Sequence, residues 1–429
     1  MLNTINSMLN LQNINWKKIS MIAGFIFICV ALAFALYFLF FKPAPSPTPA
    51  EEKIPLGQLP GAVEGEQPGA VEQETPEPVK KGEVTKSITK IAPEVAPKGA
   101  DEIANGGITK VTTLSYEKTD KLMLDGSGNN ALTYNPDTGK FNVINPDGTV
   151  TPLFDKIYKD VKDVAVAPQK DKVILEFPDS SNVLFDIKQN KQISLPKDWT
   201  NFSFNPTGSS IGFKDMNANK DYRYLGIANA DGSNQKYLEY MGEDARDFKI
   251  DWSPNGKMIA QYKTGNNATS SKLFFLGQYD ENFRSITVDG YSLETKWTPD
   301  GSKLMYSSQN AYSEHKPLLH LVDASGDNIG YNHHDLKLYT WANKCAFANA
   351  TTMYCGVPKE LPYGAGLVPA IADKTPDYIY KVDLETGIKS FVAEPEGDYT
   401  IDQIQVAGDE SNLYFTDKQS GTLHAIKLK

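Results

Sequence analysis

Imidazole and thiol are scarce in this chain, with five histidines and three cysteines among 429 residues. No two of them stand at the i, i+2 or i, i+4 spacing that metal centres of nitrogen and sulfur ligands use. His315, His320, His333, His334 and His424 therefore read as ordinary surface residues. A basic surplus is missing too. The formal net charge is −10, which argues against a nucleic-acid partner held through its phosphates. Helical periodicity is absent from residue 107 onward, so no α/β segment is expected there. Gly208-Ser209-Ser210-Ile211-Gly212 matches the G-x-S-x-G nucleophile elbow in letters. That elbow needs a strand, a sharp turn and a helix. Here it falls in a strand-rich hairpin, and the match reads as coincidence.

What is present begins with one long apolar run. Residues 19–41 carry no charge and suffice to span a bilayer core as a helix. Lys17 and Lys18 precede it, only Lys42 follows closely, and aromatic residues flank both ends. The positive-inside tendency then puts residues 1–18 in the cytoplasm and the remainder outside. The run is too long for a secretory signal and no small-residue cleavage site follows, so an uncleaved signal anchor is expected. Residues 42–106 hold 11 prolines and repeat PGAVE at 60–64 and 68–72. Such a composition cannot bury enough apolar area to offset chain entropy, and a disordered tether is expected.

From residue 107 short β-prone runs alternate with turn signals, among them NPDG (145–148), NPTG (205–208), SPNG (253–256) and DLETG (383–387). Three stretches repeat one pattern: FSFNPTGSSIGFKD from Phe202, IDWSPNGKMIAQYKT from Ile250 and TKWTPDGSKLMYSSQ from Thr295. Proline presets one turn dihedral and glycine accepts the positive φ that closes the turn. Units of strand, turn, strand, loop, strand, turn, strand begin near Lys121, Val161, Asn201, Phe248, Thr295, Thr340 and Asp402. Four-stranded units at this period indicate an all-β fold, a seven-bladed β-propeller, with six or eight blades as alternatives. The last unit has room for only three strands. Residues 108–115 are expected to complete it from the other end of the domain, which would remove an exposed edge. Phe204, Trp252, Trp297 and Trp341 share one place in four units and are expected to fill the wedge between blades rather than to form a stacking site.

These units resemble the TolB-type, WD-repeat-like β-propeller repeat, whose blades centre on W-S-P-D-G before an I-A-F-like strand. WSPNGKMIAQ and WTPDGSKLMYS carry the resemblance, and FNPTGSSIGF does so with Phe for Trp. The units at 161, 340 and 402 depart from it. The resemblance covers most of residues 108–429, implies a propeller of bacterial source, and is nearly silent on activity. Such propellers occur as periplasmic and surface binding proteins, and as gating domains of prolyl oligopeptidase-like enzymes.

Three groups of residues are candidate sites. Asp215, Asn217, Asn219 and Asp221 space oxygen atoms as the start of a calcium loop does, although Lys220 stands where such a loop needs glycine. Cys345 and Cys355 would face each other across a hairpin turning at Asn349 to Thr351, as a disulfide or as two buried thiols. A disulfide would suit an extracytoplasmic domain. Cys29 lies in the apolar run as a small apolar residue. The sixth unit carries an insertion, GVPKELPYGAGLVPAIADKTPDY, in which Lys359, Tyr363 and Leu367 are candidate contact residues. No cofactor is expected beyond calcium. The sequence thus leads to a tethered binding or scaffold module for a protein or a cell-envelope polymer, and not to an enzyme. The alternative is a propeller hydrolase or lyase with its site in the central channel, which an apolar channel would exclude.

Overall fold

The computed structural model describes residues 99–429 other than Ala268, together with Phe25, Val30 and Leu32. The expected cytoplasmic tail, the anchor apart from those three positions, and the tether up to residue 98 lie outside the described residues. Among the described residues no helix is long and apolar enough to cross a membrane.

The turn-punctuated runs pair into seven antiparallel sheets, the blades of a seven-bladed β-propeller. By first and last strand, blade 1 runs from Lys121–Leu124 to Val150–Pro152 and blade 2 from Asp163–Val166 to Lys191–Leu195. Blade 3 runs from Trp199–Phe204 to Lys236–Tyr240, and blade 4 from Phe248–Ile250 to Ile286–Asp289. Blade 5 runs from Tyr291–Trp297 to His334–Asp335, and blade 6 from Cys345–Phe347 to Lys389–Pro395. Blade 7 takes Ile401–Val406, Asn412–Asp417 and Leu423–Lys427 from the end of the chain and Thr112–Ser115 from its start. Residues 112–115 thus form the outer strand of the last blade, as expected. Gly107–Thr109 do not join them. They add a fifth strand to blade 6, parallel to Lys389–Pro395. Asp101, Ala104 and Gly106 also hydrogen-bond to this seam, so the folded domain begins before the expected boundary at 107.

Second strands read as continuous apolar or mixed runs because both of their faces are covered by neighbouring blades. Every residue of Ala131–Asn135 is buried, and all but the first of Lys303–Gln309. The repeated turn has a second task beyond reversing the chain. In blade 4, Ser253 Oγ accepts the Met258 amide at 2.9 Å and Gly256 takes φ +76. Asn255 Nδ2 then reaches the Gly301 carbonyl in the matching turn of blade 5, at 2.6 Å. Gln169 Nε2 makes the corresponding bridge from blade 2 to Pro206 of blade 3, at 2.9 Å. The repeat therefore ties turns of neighbouring blades together at these two places.

Three of the four repeated aromatics fill the wedge as expected. Phe204, Trp252 and Trp297 are buried in the cores between adjacent blades. Trp341 departs from the pattern: it packs with Leu361, Ala365 and Ala372 of the blade-6 insertion. Cys345 and Cys355 pair directly, Ala346 with Tyr354 and Phe347 with Met353, the register read from the sequence. Their sulfurs lie 2.15 Å apart in a fully buried position.

Candidate functional site

Two places on the propeller gather side chains that a partner could use. The first is the axis. First strands of blades 4, 5 and 7, with Leu122 of blade 1 and the turn before blade 6, enclose an axial cavity of about 680 Å³. Lys249, Asp251, Glu294, Lys296, Asn343 and Gln403 give it a polar wall. The channel is not apolar.

Three of these groups, Lys249, Lys296 and Gln403, stitch blades together. Lys249 Nζ binds Asp251 Oδ2 at 2.8 Å and the Thr295 carbonyl of the next blade at 2.8 Å. Lys296 Nζ donates to the Cys345 carbonyl of blade 6 at 2.6 Å. Gln403 accepts the Leu122 amide at 2.8 Å and donates to the Asp120 carbonyl, joining blade 7 to blade 1. Burial depresses the Lys296 ammonium to about 8, helped by the neighbouring charge of Lys249. Glu294 is paired only in part, its carboxylate accepting the Asn343 backbone amide. Its Oε2 is buried without a protein partner, and burial raises its carboxyl above the usual range. Sequence reading missed this ring. Its signal is polar residues at alternate positions just before the repeated aromatic, as in Lys249 and Asp251 before Trp252, and Glu294 and Lys296 before Trp297.

The second place is the insertion, which lies between the second and third strands of blade 6 as expected. It is tied down along its length. Gly364 and Gly366 amides donate to the Glu314 and His315 carbonyls of the blade-5 loop at 3.0 and 2.7 Å. Gly366 is held so close that a Cβ there would meet the His315 carbonyl oxygen at 2.8 Å. Asp373 pairs with Lys418 of blade 7 at 2.8 Å. Below it, Lys344 holds Asp377 at 2.8 Å in a buried ion pair, and the Ile401 amide donates to the same carboxylate at 2.6 Å.

This framework leaves apolar side chains on the outside. Tyr363, Leu367, Val368 and Ile371 are about half exposed or more, and Tyr312 on the adjoining blade-5 loop is 98% exposed. Tyr363 is braced edge-on by His315, with ring centres 5.6 Å apart. The structure thus brings Tyr363 and Leu367 to one surface but not Lys359. Lys359 turns inward to Glu394 at 2.6 Å and lies over the Tyr378 ring. An ion pair across this sequence distance leaves no local signal.

The other sequence candidates resolve differently. Asn217 and Asn219 spend their side-chain oxygens on the amides of Asn219 and Asp221, at 2.9 and 3.0 Å. Asp215 accepts the Tyr237 hydroxyl at 2.6 Å, which raises that phenol to about 12 through burial and the bond itself. These bonds cap the hairpin connection from within, and Asp215 Oδ1 is buried without a protein partner. Among the described residues no three His, Cys, Asp or Glu form a metal-sized group. Nor are the histidines all on the surface. His320 and His424 are buried in ring clusters, and His333 stacks on His320 and bonds to Tyr306 Oη.

Known structures agree on the architecture. The β-propeller domain of Cps50 (Swd1) from Myceliophteria thermophila matches with a TM-score of 0.52 and 11% identity, over 74% of this chain and 100% of that one. An oligogalacturonate lyase in complex with manganese matches with a TM-score of 0.48 and 12% identity, over 74% of this chain and 93% of that one. At 11% identity the likeness to the Cps50 domain is one of fold alone. No family model matches the chain. No curated protein matches it in sequence.

Proposed function

We propose that the chain is a membrane-tethered binding module that holds a protein partner outside the cytoplasmic membrane, through the blade-6 insertion. The observation that carries this reading is the set of exposed apolar side chains, Tyr363, Leu367, Val368 and Ile371, on a segment fixed to three blades. Exposed apolar side chains gathered on an ordered platform are a usual mark of a protein interface, and a rigid loop has little entropy left to lose on docking. The charge-free run at 19–41 supports the tether, and the facing pair Cys345 and Cys355 supports an oxidising compartment. The likeness of WSPNGKMIAQ and WTPDGSKLMYS to TolB-type repeats supports a bacterial envelope protein whose partner is a protein or an envelope polymer.

Proximity labelling from the intact membrane protein tests this reading. A Tyr363→Ser/Leu367→Ser/Ile371→Ser variant should lose a defined set of labelled proteins while its melting temperature stays unchanged. An identical set from both chains would overturn it.

Glu294 and Lys296, two perturbed groups on one axial strand, favour a second reading in which the channel performs acid–base chemistry. Glu294→Gln separates the two. On the binding reading it leaves the labelled set intact, because the insertion surface does not include Glu294.

A further inference from the structure

The wedge between two blades widens away from the axis, and between blades 3 and 4 it is left unfilled. A cleft of about 660 Å³ opens there, distinct from the axial cavity and the insertion. Its floor is aromatic. Phe248, Tyr262 and Phe274 stand opposite one another on three adjacent strands of blade 4. Their ring centres are 4.5 and 6.2 Å apart in turn. Tyr240 and Phe283 add further aromatic wall.

The rim has one sign of charge. Glu239, Glu243, Asp244 and Glu281 line the cleft, and no lysine or arginine does. Glu243 is shared with Lys220 at 2.9 Å, and Glu281 accepts the Tyr279 amide at 2.8 Å. Glu239 and Asp244 are exposed and have no partner among the described residues.

We propose that this cleft is a second binding site, and that it takes a lysine or arginine side chain presented by a peptide segment of a partner protein. The rim carboxylates attract the cationic head directly, and the aromatic floor, whose rings pack on one another, offers apolar surface to the stem of the side chain. A neutral apolar segment would cover Glu239 and Asp244 without pairing them, which is costly. An acidic segment would be repelled.

A short glycine–serine peptide bearing two lysines serves as the probe, read by saturation-transfer NMR on the full chain. Transfer to the lysine ε-methylene protons is expected, with affinity falling by about tenfold or more in Glu239→Gln/Asp244→Asn and in Tyr262→Leu. The same peptide with acetylated lysines should show no transfer. The double rim variant replaces exposed groups only, so it carries the test even if Tyr262→Leu melts. No transfer at millimolar peptide would overturn the proposal. Equal transfer to the acetylated peptide would do so too, as would affinity unchanged in the rim variant. A Tyr363→Ser/Leu367→Ser variant should bind the probe as the parent does, which keeps this site separate from the insertion.

Discussion

Lys344→Met is expected to cost the propeller about 3–5 kcal/mol, the usual effect of leaving a buried charge without its partner. Asp377 is almost wholly enclosed, and Lys344 supplies both of its strong contacts from a side chain, at 2.8 and 3.0 Å. The Ile401 amide binds the same carboxylate, so the pair joins the sixth blade to the first strand of the seventh. Burial already holds the Asp377 carboxyl above the usual range despite Lys344. Without the ammonium, the carboxyl must either take up a proton or draw in water at the seam. Denaturant unfolding of Lys344→Met, Asp377→Asn and the double variant reads this out. The double variant should recover a large part of the loss, because asparagine can still accept from Ile401. A double variant as unstable as the sum of the singles would mean that packing, not charge, is responsible.

Acid should weaken the fifth blade through one histidine. Burial depresses His320 from 6.5 to about 4, with His333 adding repulsion and Asp335 and Asp289 acting the other way. Its ring packs against both Tyr306 and His333, which also contact each other, and neither nitrogen has a partner. The unfolded chain takes up a proton as pH falls through 6.5, while the folded chain resists until about 4. Stability is therefore complete above 6.5 and is lost progressively down to about 4, by about 3 kcal/mol. His320→Phe keeps a ring in the stack and removes the titration. The loss of unfolding free energy between pH 7 and pH 4 should be smaller in that variant by about the same amount. Equal losses in the two chains would show that other groups govern the acid limit.

The blades were legible because their information is local. A turn such as Ser253-Pro254-Asn255-Gly256 satisfies itself within a few residues, and its glycine must take positive φ, so the motif survives as a string. The hairpin of Cys345 and Cys355 was legible for the same reason. The place of the insertion could be read from its length. What it touches could not. The partner of Lys359 is Glu394, the partner of Gly366 is His315, and Trp341 left its blade role to hold the insertion down. The axial ring was missed on similar grounds, since Lys296 is explained only by a carbonyl 49 residues away in the first strand of the next blade. Gly107–Thr109 shows the limit most plainly. Its pairing with blade 6 is parallel, and no turn announces a parallel neighbour.

That short strand also bears on force. Gly107–Thr109 lies on blade 6 and Thr112–Ser115 on blade 7, so the chain enters the propeller across the seam between these blades before it closes the ring within blade 7. Any pull on the chain ahead of residue 101 reaches the ring at this seam first. A pull directed along these strands would load their hydrogen bonds in shear, together rather than one after another, and share the load between two blades. The entry point would then act as a strain relief, sparing the ring a pull applied to the chain ahead of residue 101.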